Sequence, residues 1–307
     1  MSDLRAGIGP LGVWGHLDSL PATAVRGYVR RAAELRYGAL WVPETVGREP
    51  FALLGAIAEA ADGMWLGTSI VGIFGRDAMT AKLGAQTLHE LTGGRFALGL
   101  GVSHPHLVEK LRGHPYQKPL STMRRYVGDI HRLPYLGPRL DAGGSASEPP
   151  ILVAALRERM IAFSAAETDG AFPYLVTPER VAWIREVLDA NGAEGRPRPV
   201  LAVTQPCVLS ADAEAARTTA RAYLAPYLRP INYQASWEAQ GFTSEDWAQP
   251  GSDRLVDAMV VWGRADQLRA RIAAHHAAGA DHVAVIPLSA DGRTEDAAVL
   301  EVLAPAD

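Results

Sequence analysis

The chain has 307 residues, of which 48% are hydrophobic and 21% charged, and its formal net charge is -4. This composition is ordinary for a globular enzyme with a large core, and the charge does not indicate a nucleic-acid or membrane partner. The single cysteine, Cys207, excludes an intrachain disulfide and a cysteine-rich metal site. The N-terminus lacks the pattern of a signal peptide, and no apolar run reaches the roughly 20 residues of a membrane span, so a cytoplasmic location is expected.

Helical stretches that end in glycine alternate along the chain with short apolar runs. Residues 26–36 precede Gly38 and the run 39–42, and residues 78–91 precede Gly93 and the run 96–101. Glycine closes a helix because it accepts the left-handed conformation, and apolar runs without alternation are typical of parallel strands buried on both faces. The predicted strands are 6–9, 39–42, 65–73, 96–101, 151–155, 171–176, 200–209 and 282–288.

Eight strands alternating with helices over this length predict an α/β fold of the (β/α)8 TIM-barrel type, formed by residues 1–307 as a single domain. A doubly wound open sheet is the alternative, but no G-x-G-x-x-G fingerprint follows an early strand. Two segments are too long for simple connections, and both are interpreted as loop insertions near 105–150 and 227–252. Within the first, residues 141–150 have the composition of a surface linker. The second is expected to form either a lid or a packed helical hairpin.

The active site of a barrel lies at the carboxyl ends of its strands, where this sequence places apolar, aromatic and glycine residues. Glu44 is the only carboxylate close to a strand end, and His275–His276 lies in mid-helix and is interpreted as a surface feature. The sequence has no Walker A loop, no G-x-S-x-G elbow and no H-E-x-x-H motif, so metal and serine hydrolases lose support and no metal is expected. Strand ends that carry apolar, aromatic and glycine residues suit the binding of a flat, redox-active cofactor ring.

The end of the predicted strand 96–101 carries several candidate residues. Gly99 and Gly101 either let a ring approach the backbone or allow tight packing of the strand itself. Ser103 and His104 follow directly and are candidates for hydrogen bonds to the ring or to the substrate. His104 either relays a proton, since its ordinary pKa is near neutrality, or only holds its loop.

Several motifs in order give the chain a resemblance to the luciferase-like superfamily, on the branch that uses the deazaflavin coenzyme F420. The motifs are LWVPE at 40–44, LGTSIVG at 66–72, GRFALGLGVSH at 94–104, ALRERM at 155–160, DGAFPYLVTPE at 169–179, LVDAMVVWG at 255–263 and AGADHVAVIPL at 278–288. The resemblance covers nearly the whole chain. It implies a flavin or deazaflavin ring at the mouth of the barrel, supported by a bulge with a non-proline cis peptide at Ser69–Ile70.

The resemblance also implies roles for other residues at the strand ends. Glu44 would face the ring and act with Ser103 and His104 as the catalytic set, and the start of a helix near 155–160 would bind the anionic part of the cofactor. Thr45 and Ser103 replace the base and the acid of the family's sugar-phosphate dehydrogenases, which argues against that substrate class. The cofactor-binding candidates are Ser69, Ile70, Gly101, Val102, Ala155, Leu156, Arg157 and Tyr174.

The function expected from these features is hydride transfer between C5 of F420 and a small organic substrate. One alternative is an FMN-dependent luciferase-like monooxygenase, and another is a flavin-binding protein without turnover. Many relatives carry a glycine near the position of Arg157, and two exposed helix arginines remain a plain alternative to an anion site there. A small-molecule substrate and a homodimer are expected, with neither nucleic acid nor membrane as a partner.

Overall fold

The structure of the protein is a computed structural model that describes residues 4–140 and 148–305. The strands are β1 (Leu11–Trp14), β2 (Ala39–Val42), β3 (Trp65–Thr68), β4 (Val71–Gly72), β5 (Phe96–Gly101), β6 (Ile151–Val153), β7 (Gly170–Ala171), β8 (Val200–Leu209), β9 (Val261–Gly263) and β10 (His282–Pro287). The predicted linker at 141–150 falls largely on residues 141–147, which lie outside the described residues.

Helices follow most strands and form the outer layer. The α-helices are α1 (Leu4–Ile8), α2 (Ala22–Glu34), α3 (Pro50–Ile57), α4 (Ala78–Leu91), α5 (Pro119–Arg132), α6 (Glu158–Glu167), α7 (Pro178–Asn191), α8 (Ala213–Leu224), α9 (Ile231–Glu238), α10 (Ser244–Trp247), α11 (Asp253–Met259), α12 (Ala265–Ala277) and α13 (Ala297–Leu303). Short 3-10 turns at Ala58–Ala61 and Ala225–Tyr227 and a π-helix at His106–Leu111 complete the connections. None of the helices within the described ranges has the length and apolar character needed to cross a bilayer.

The predicted (β/α)8 barrel is confirmed. Around the barrel the strands run β1, β2, β3, β5, β6, β7, β8 and β10, and β10 pairs back to β1, so the sheet closes on itself. All of these pairings are parallel. β4 continues β3 after a break and pairs with β5, while β9 pairs with the last residues of β8. This arrangement brings every loop that follows a strand to one end of the barrel.

The predicted strand at 6–9 is wrong, because α1 occupies this segment and the first barrel strand begins at Leu11. Leu4 and Ile8 are four residues apart, so one face of the helix carries both side chains, and both are buried. Gly9, with φ of 62°, ends the helix. Two other predicted strands, 151–155 and 171–176, are shorter in the structure because their last residues turn into the loops that form the site.

Two buried histidines lie among the core strands and helices. His282 on β10 accepts a hydrogen bond from Trp41 Nε1 at 2.9 Å, and its Nδ1 lies 2.7 Å from the carbonyl oxygen of Gly9. His275 on α12 is fully buried, and its Nε2 lies 2.8 Å from Gln205 Oε1, so the interpretation of His275 as a surface residue is wrong. Burial lowers the pKa of His282 to about 4 and that of His275 to about 3. Both imidazoles are therefore neutral in the folded protein at pH 7.

These pKa values predict that the protein loses stability in mild acid. In the unfolded chain histidine titrates near pH 6.5. As the pH falls from 6.5 towards 4, the unfolded state therefore binds protons that the folded state does not bind, and this proton binding stabilises the unfolded state. For His282 alone, the shift corresponds to a loss of about 3 kcal/mol by pH 4. Urea unfolding between pH 7 and pH 4.5 measures this slope, and His282→Gln is expected to flatten it. An unfolding free energy that stays constant over this range contradicts the prediction.

Candidate functional site

The peptide bond between Ser69 and Ile70 lies at the carboxyl end of β3 and is cis, as predicted. It separates β3 from β4, and hydrogen bonds from neighbouring strands hold both of its residues. Ser69 N donates to Val42 O and Glu44 N donates to Ile70 O, both at 2.9 Å, while Trp14 Nε1 donates to Ser69 O at 2.9 Å. Ser69 and Ile70 stay half-buried, so this segment presents a fixed and accessible surface at the mouth of the barrel.

The neighbouring strand explains why Gly99 and Gly101 carry no side chain. A Cβ at Gly99 would lie 1.9 Å from the carbonyl oxygen of Thr68, and a Cβ at Gly101 would lie 2.4 Å from Cδ1 of Ile70. Thr68 Oγ1 also exchanges hydrogen bonds of 2.9 Å with Gly99 N and Gly99 O. The two glycines therefore allow tight packing of β5 against the segment that contains the cis peptide. Of the two roles considered for them, close approach of a ring and tight packing of the strand, these contacts support tight packing.

Glu44 lies directly after β2, and its carboxylate is surrounded by donors. Oε2 accepts from Gly72 N at 2.6 Å and from Arg76 Nη1 at 3.1 Å, and Oε1 accepts from Arg76 Nη2 and Arg112 Nη2, each at 3.0 Å. The side chains of Glu44 and Arg76 are only 11% and 9% exposed, so this is a largely buried ion pair. With its oxygens bound in this way, Glu44 fixes the β4 backbone beside the cis peptide.

The loop after β5 brings Val102, Ser103 and His104 to the same end of the barrel. All three are half-buried, and Ser103 adopts φ of 55°, which turns the chain sharply after the strand. The His104 ring lies 5.3 Å from the ring of Tyr233, and its Nδ1 is buried without a hydrogen-bond partner. Burial, with a smaller contribution from His106, lowers the pKa of His104 to about 4. A neutral, half-buried imidazole therefore lies in the loop that follows β5, with its Nδ1 on the buried side.

An arc of aromatic rings crosses the barrel mouth, consisting of Trp14, Tyr174, Tyr227, Tyr233 and His104. Successive ring centroids are separated by 5.7, 5.3, 5.3 and 5.3 Å. Burial raises the pKa of each tyrosine, so all three hydroxyls are protonated near neutral pH. The aromatic arc joins the predicted Tyr174 to two residues from the insertion at 227–252, which the sequence analysis did not assign to the site.

The hydroxyl groups of the tyrosines form a short hydrogen-bonded chain. Tyr174 Oη donates to Tyr227 Oη at 3.1 Å and shares a short hydrogen bond with Tyr223 Oη. Tyr223 and Tyr227 are four residues apart at the end of α8 and in the following turn. This spacing places two side chains on one helical face, and it is the signal that points to them in the sequence.

The predicted anion site lies at the start of α6. Ala155 and Leu156 are buried, whereas Arg157, Glu158 and Arg159 are exposed, and no side chain caps the helix. The negative charge of Glu158 in the first turn partly neutralises the positive end of the helix dipole. The Leu156 carbonyl accepts a hydrogen bond from Arg180 Nη2 at 3.0 Å. In the first turn Met160 N donates to Arg157 O at 3.0 Å, and within the described residues no ion pair holds the Arg157 side chain over this end of the helix.

The fold brings these residues together at the carboxyl ends of the barrel strands, and comparison with known proteins shows the family. The family model described as luciferase-like monooxygenase matches residues 9–282. The chain belongs to this family, as its motifs predict. A Mycobacterium tuberculosis protein that carries the name coenzyme F420-dependent oxidoreductase Rv3520c is 27% identical over 335 residues, covering 92% of this chain and 94% of the relative.

Solved structures of the same fold include one described as F420-dependent and one in complex with FMN. The coenzyme F420 dependent tetrahydromethanopterin reductase from Methanopyrus kandleri has a TM-score of 0.77 and 15% identity, and the match covers 96% of this chain and 98% of that one. The oxygenating constituent of 3,6-diketocamphane monooxygenase from Pseudomonas putida, in complex with FMN, has a TM-score of 0.68 and 15% identity, with 96% of each chain covered. At these identities the likeness establishes the fold alone.

Proposed function

We propose that the protein is an oxidoreductase that binds coenzyme F420 at the mouth of the barrel and transfers a hydride between the deazaflavin C5 and a small organic substrate. The observation that carries this proposal is the half-accessible backbone of Ser69 and Ile70 at the end of β3, which Trp14 Nε1 and Glu44 N hold by hydrogen bonds. The similarity over 92% of the chain to a relative named for F420 supports the choice of cofactor.

The residues at the mouth suit a flat ring. Ser69 and Ile70 offer a backbone surface held by hydrogen bonds, the aromatic arc offers apolar faces, and the half-buried His104 imidazole offers one polar contact. Gly101 and Val102 would line the edge, Tyr174 would contact the ring, and residues 155–157 would receive the phosphate. When bound, the deazaflavin supplies the hydride acceptor or donor at C5.

The chain's own residues then position the substrate and move its proton. His104 is neutral at pH 7, so its imidazole can accept a proton from a substrate hydroxyl or donate one to a carbonyl. Ser103 stands next to it as a hydrogen-bond donor. Glu44 holds the cis-peptide segment in place through Gly72 and Arg76. The small-molecule substrate and the homodimeric state belong to the same proposal.

The second candidate is an FMN-dependent monooxygenase, which the match to an FMN-bound structure supports. A titration of the purified protein with F420 and FMN side by side, followed by tryptophan fluorescence, separates the two. Trp14 contacts Ser69 and Tyr174, so a ring at this position is expected to quench its emission. We expect tight binding of F420 and weak binding of FMN. The reverse order would favour the monooxygenase, and binding of neither would refute both cofactor assignments.

A further inference from the structure

A cleft of about 640 Å³ opens between α7 and the helices of the insertion, outside the barrel mouth. Its volume is in the range of small-molecule sites. The lining residues are Thr177, Glu179, Arg180, Trp183, Ala239, Gln240, Phe242, Arg254 and Ala258. They combine two aromatic rings with two guanidinium groups and do not include any member of the aromatic arc.

Arg180 is the distinctive residue of this cleft. Its guanidinium carbon lies 3.6 Å from the centre of the Trp183 ring, and Nη2 donates to Leu156 O at 3.0 Å. Its Nε is buried without a hydrogen-bond partner, and no carboxylate of residues 4–140 or 148–305 lies within ion-pair distance of it. Burial lowers the pKa of Arg180, and the more distant Glu158 offsets this only in part. Burying part of a cation costs free energy, and a bound anion that accepts hydrogen bonds from it offsets this cost.

On the wall of the cleft opposite Arg180, the second guanidinium, that of Arg254, already has an acidic partner. Arg254 stacks on Phe242 at 4.5 Å and pairs with Asp246, and its Nη2 donates to Gly241 O at 2.7 Å. Glu179 also lines the cleft, and a backbone hydrogen bond, the Thr177 hydroxyl and the charge of Arg271 lower its pKa and keep its carboxylate ionised. Arg180 is therefore the cation that a ligand would meet, and Trp183 and Phe242 supply flat apolar surface beside it.

The cleft is separated from the barrel mouth by buried structure. Trp237, which is fully buried, packs against Tyr233 of the aromatic arc at 5.9 Å and donates to Leu175 O. Gln240 closes the same wall by accepting a hydrogen bond from Thr177 N at 2.9 Å. A ligand in the cleft and a ring at Ser69–Ile70 would therefore occupy different spaces.

We propose that this cleft is a second binding site, which takes an organic carboxylate on a flat apolar body. The carboxylate would accept a hydrogen bond from Nη1 of Arg180, because Nε is buried and Nη2 already donates to Leu156 O. The apolar body would lie between Trp183 and Phe242. None of the lining residues belongs to the proposed cofactor site, although Arg180 contacts its Leu156 through the backbone carbonyl.

Isothermal titration calorimetry with 2-naphthoate tests the proposal, with 2-naphthamide as the uncharged ligand of the same shape. We expect saturable 2-naphthoate binding that weakens at least tenfold in Arg180→Met and in Trp183→Leu. Arg30→Met removes an equally charged but exposed side chain on α2 and is expected to leave binding unchanged. 2-Naphthamide is expected to bind at least tenfold more weakly than 2-naphthoate.

Three results would overturn the proposal. They are the absence of binding at millimolar 2-naphthoate, unchanged binding in a folded Arg180→Met protein, and displacement of 2-naphthoate by F420. Trp183→Leu keeps the cation and the Leu156 hydrogen bond, so it decides the question if Arg180→Met does not fold. Because the calorimetry needs no cofactor, a failure of F420 to bind leaves the outcome for the cleft readable.

Discussion

Gly99→Ala is expected to lower the free energy of unfolding by about 3 kcal/mol, at the upper end of what overpacking costs in a protein core. The added Cβ would lie 1.9 Å from the carbonyl oxygen of Thr68, and a backbone atom inside a closed barrel cannot rotate away. The strand must shift, which also disturbs the cis peptide that follows Thr68. Urea unfolding measures the stability, and the F420 titration measures the accompanying loss of affinity.

Gly55→Ala is the matched control for this prediction. Gly55 lies within α3, and a Cβ there would meet Leu88 Cδ2 at an ordinary 3.8 Å. Because alanine is a better helix former than glycine, this variant is expected to gain up to about 1 kcal/mol. A Gly99→Ala protein as stable as the parent would show that β5 and β3 are not packed as tightly as described.

The barrel was predictable because its signals are local. β2 and β5 coincide with the predicted runs 39–42 and 96–101, since a helix-ending glycine and an unbroken apolar run need no knowledge of distant residues. α1 was missed because five residues are too few to show helical periodicity, and an apolar pair with glycines resembles a short strand.

The site was only partly predictable because its contacts join distant parts of the chain. Glu44 was identified from its place after a strand, but its partners Arg76 and Arg112 come from two other loops. Local sequence does not indicate such pairs. Similarly, His275 looked exposed because nothing near it reveals Gln205, 70 residues earlier. The cis peptide at Ser69–Ile70 came from the family resemblance, because the residue types alone favour an ordinary strand.

Glu44→Ala is expected to destabilise the protein by about 3 kcal/mol. It leaves the Arg76 guanidinium largely buried, and among the described residues the exposed Glu49 is then its one acidic partner. It also removes the acceptor that Gly72 N uses at 2.6 Å. A double-mutant cycle with Arg76→Ala is expected to show strong coupling, since removing both charges together costs less than the two single changes combined. Glu34→Ala, which breaks an exposed pair with Arg31, is the control and is expected to cost under ~1 kcal/mol.

Glu44→Gln distinguishes a positioning role from a catalytic one. Glutamine keeps one oxygen for Gly72 N but removes the charge that Arg76 and Arg112 share. Because the carboxylate is occupied by these donors, we expect weaker cofactor binding and lower stability, with an unchanged pH profile of turnover under cofactor saturation. A proton-transfer role instead requires a fall in turnover of roughly 10² to 10⁴ with cofactor affinity retained. That second outcome would return Glu44 to the catalytic set with Ser103 and His104.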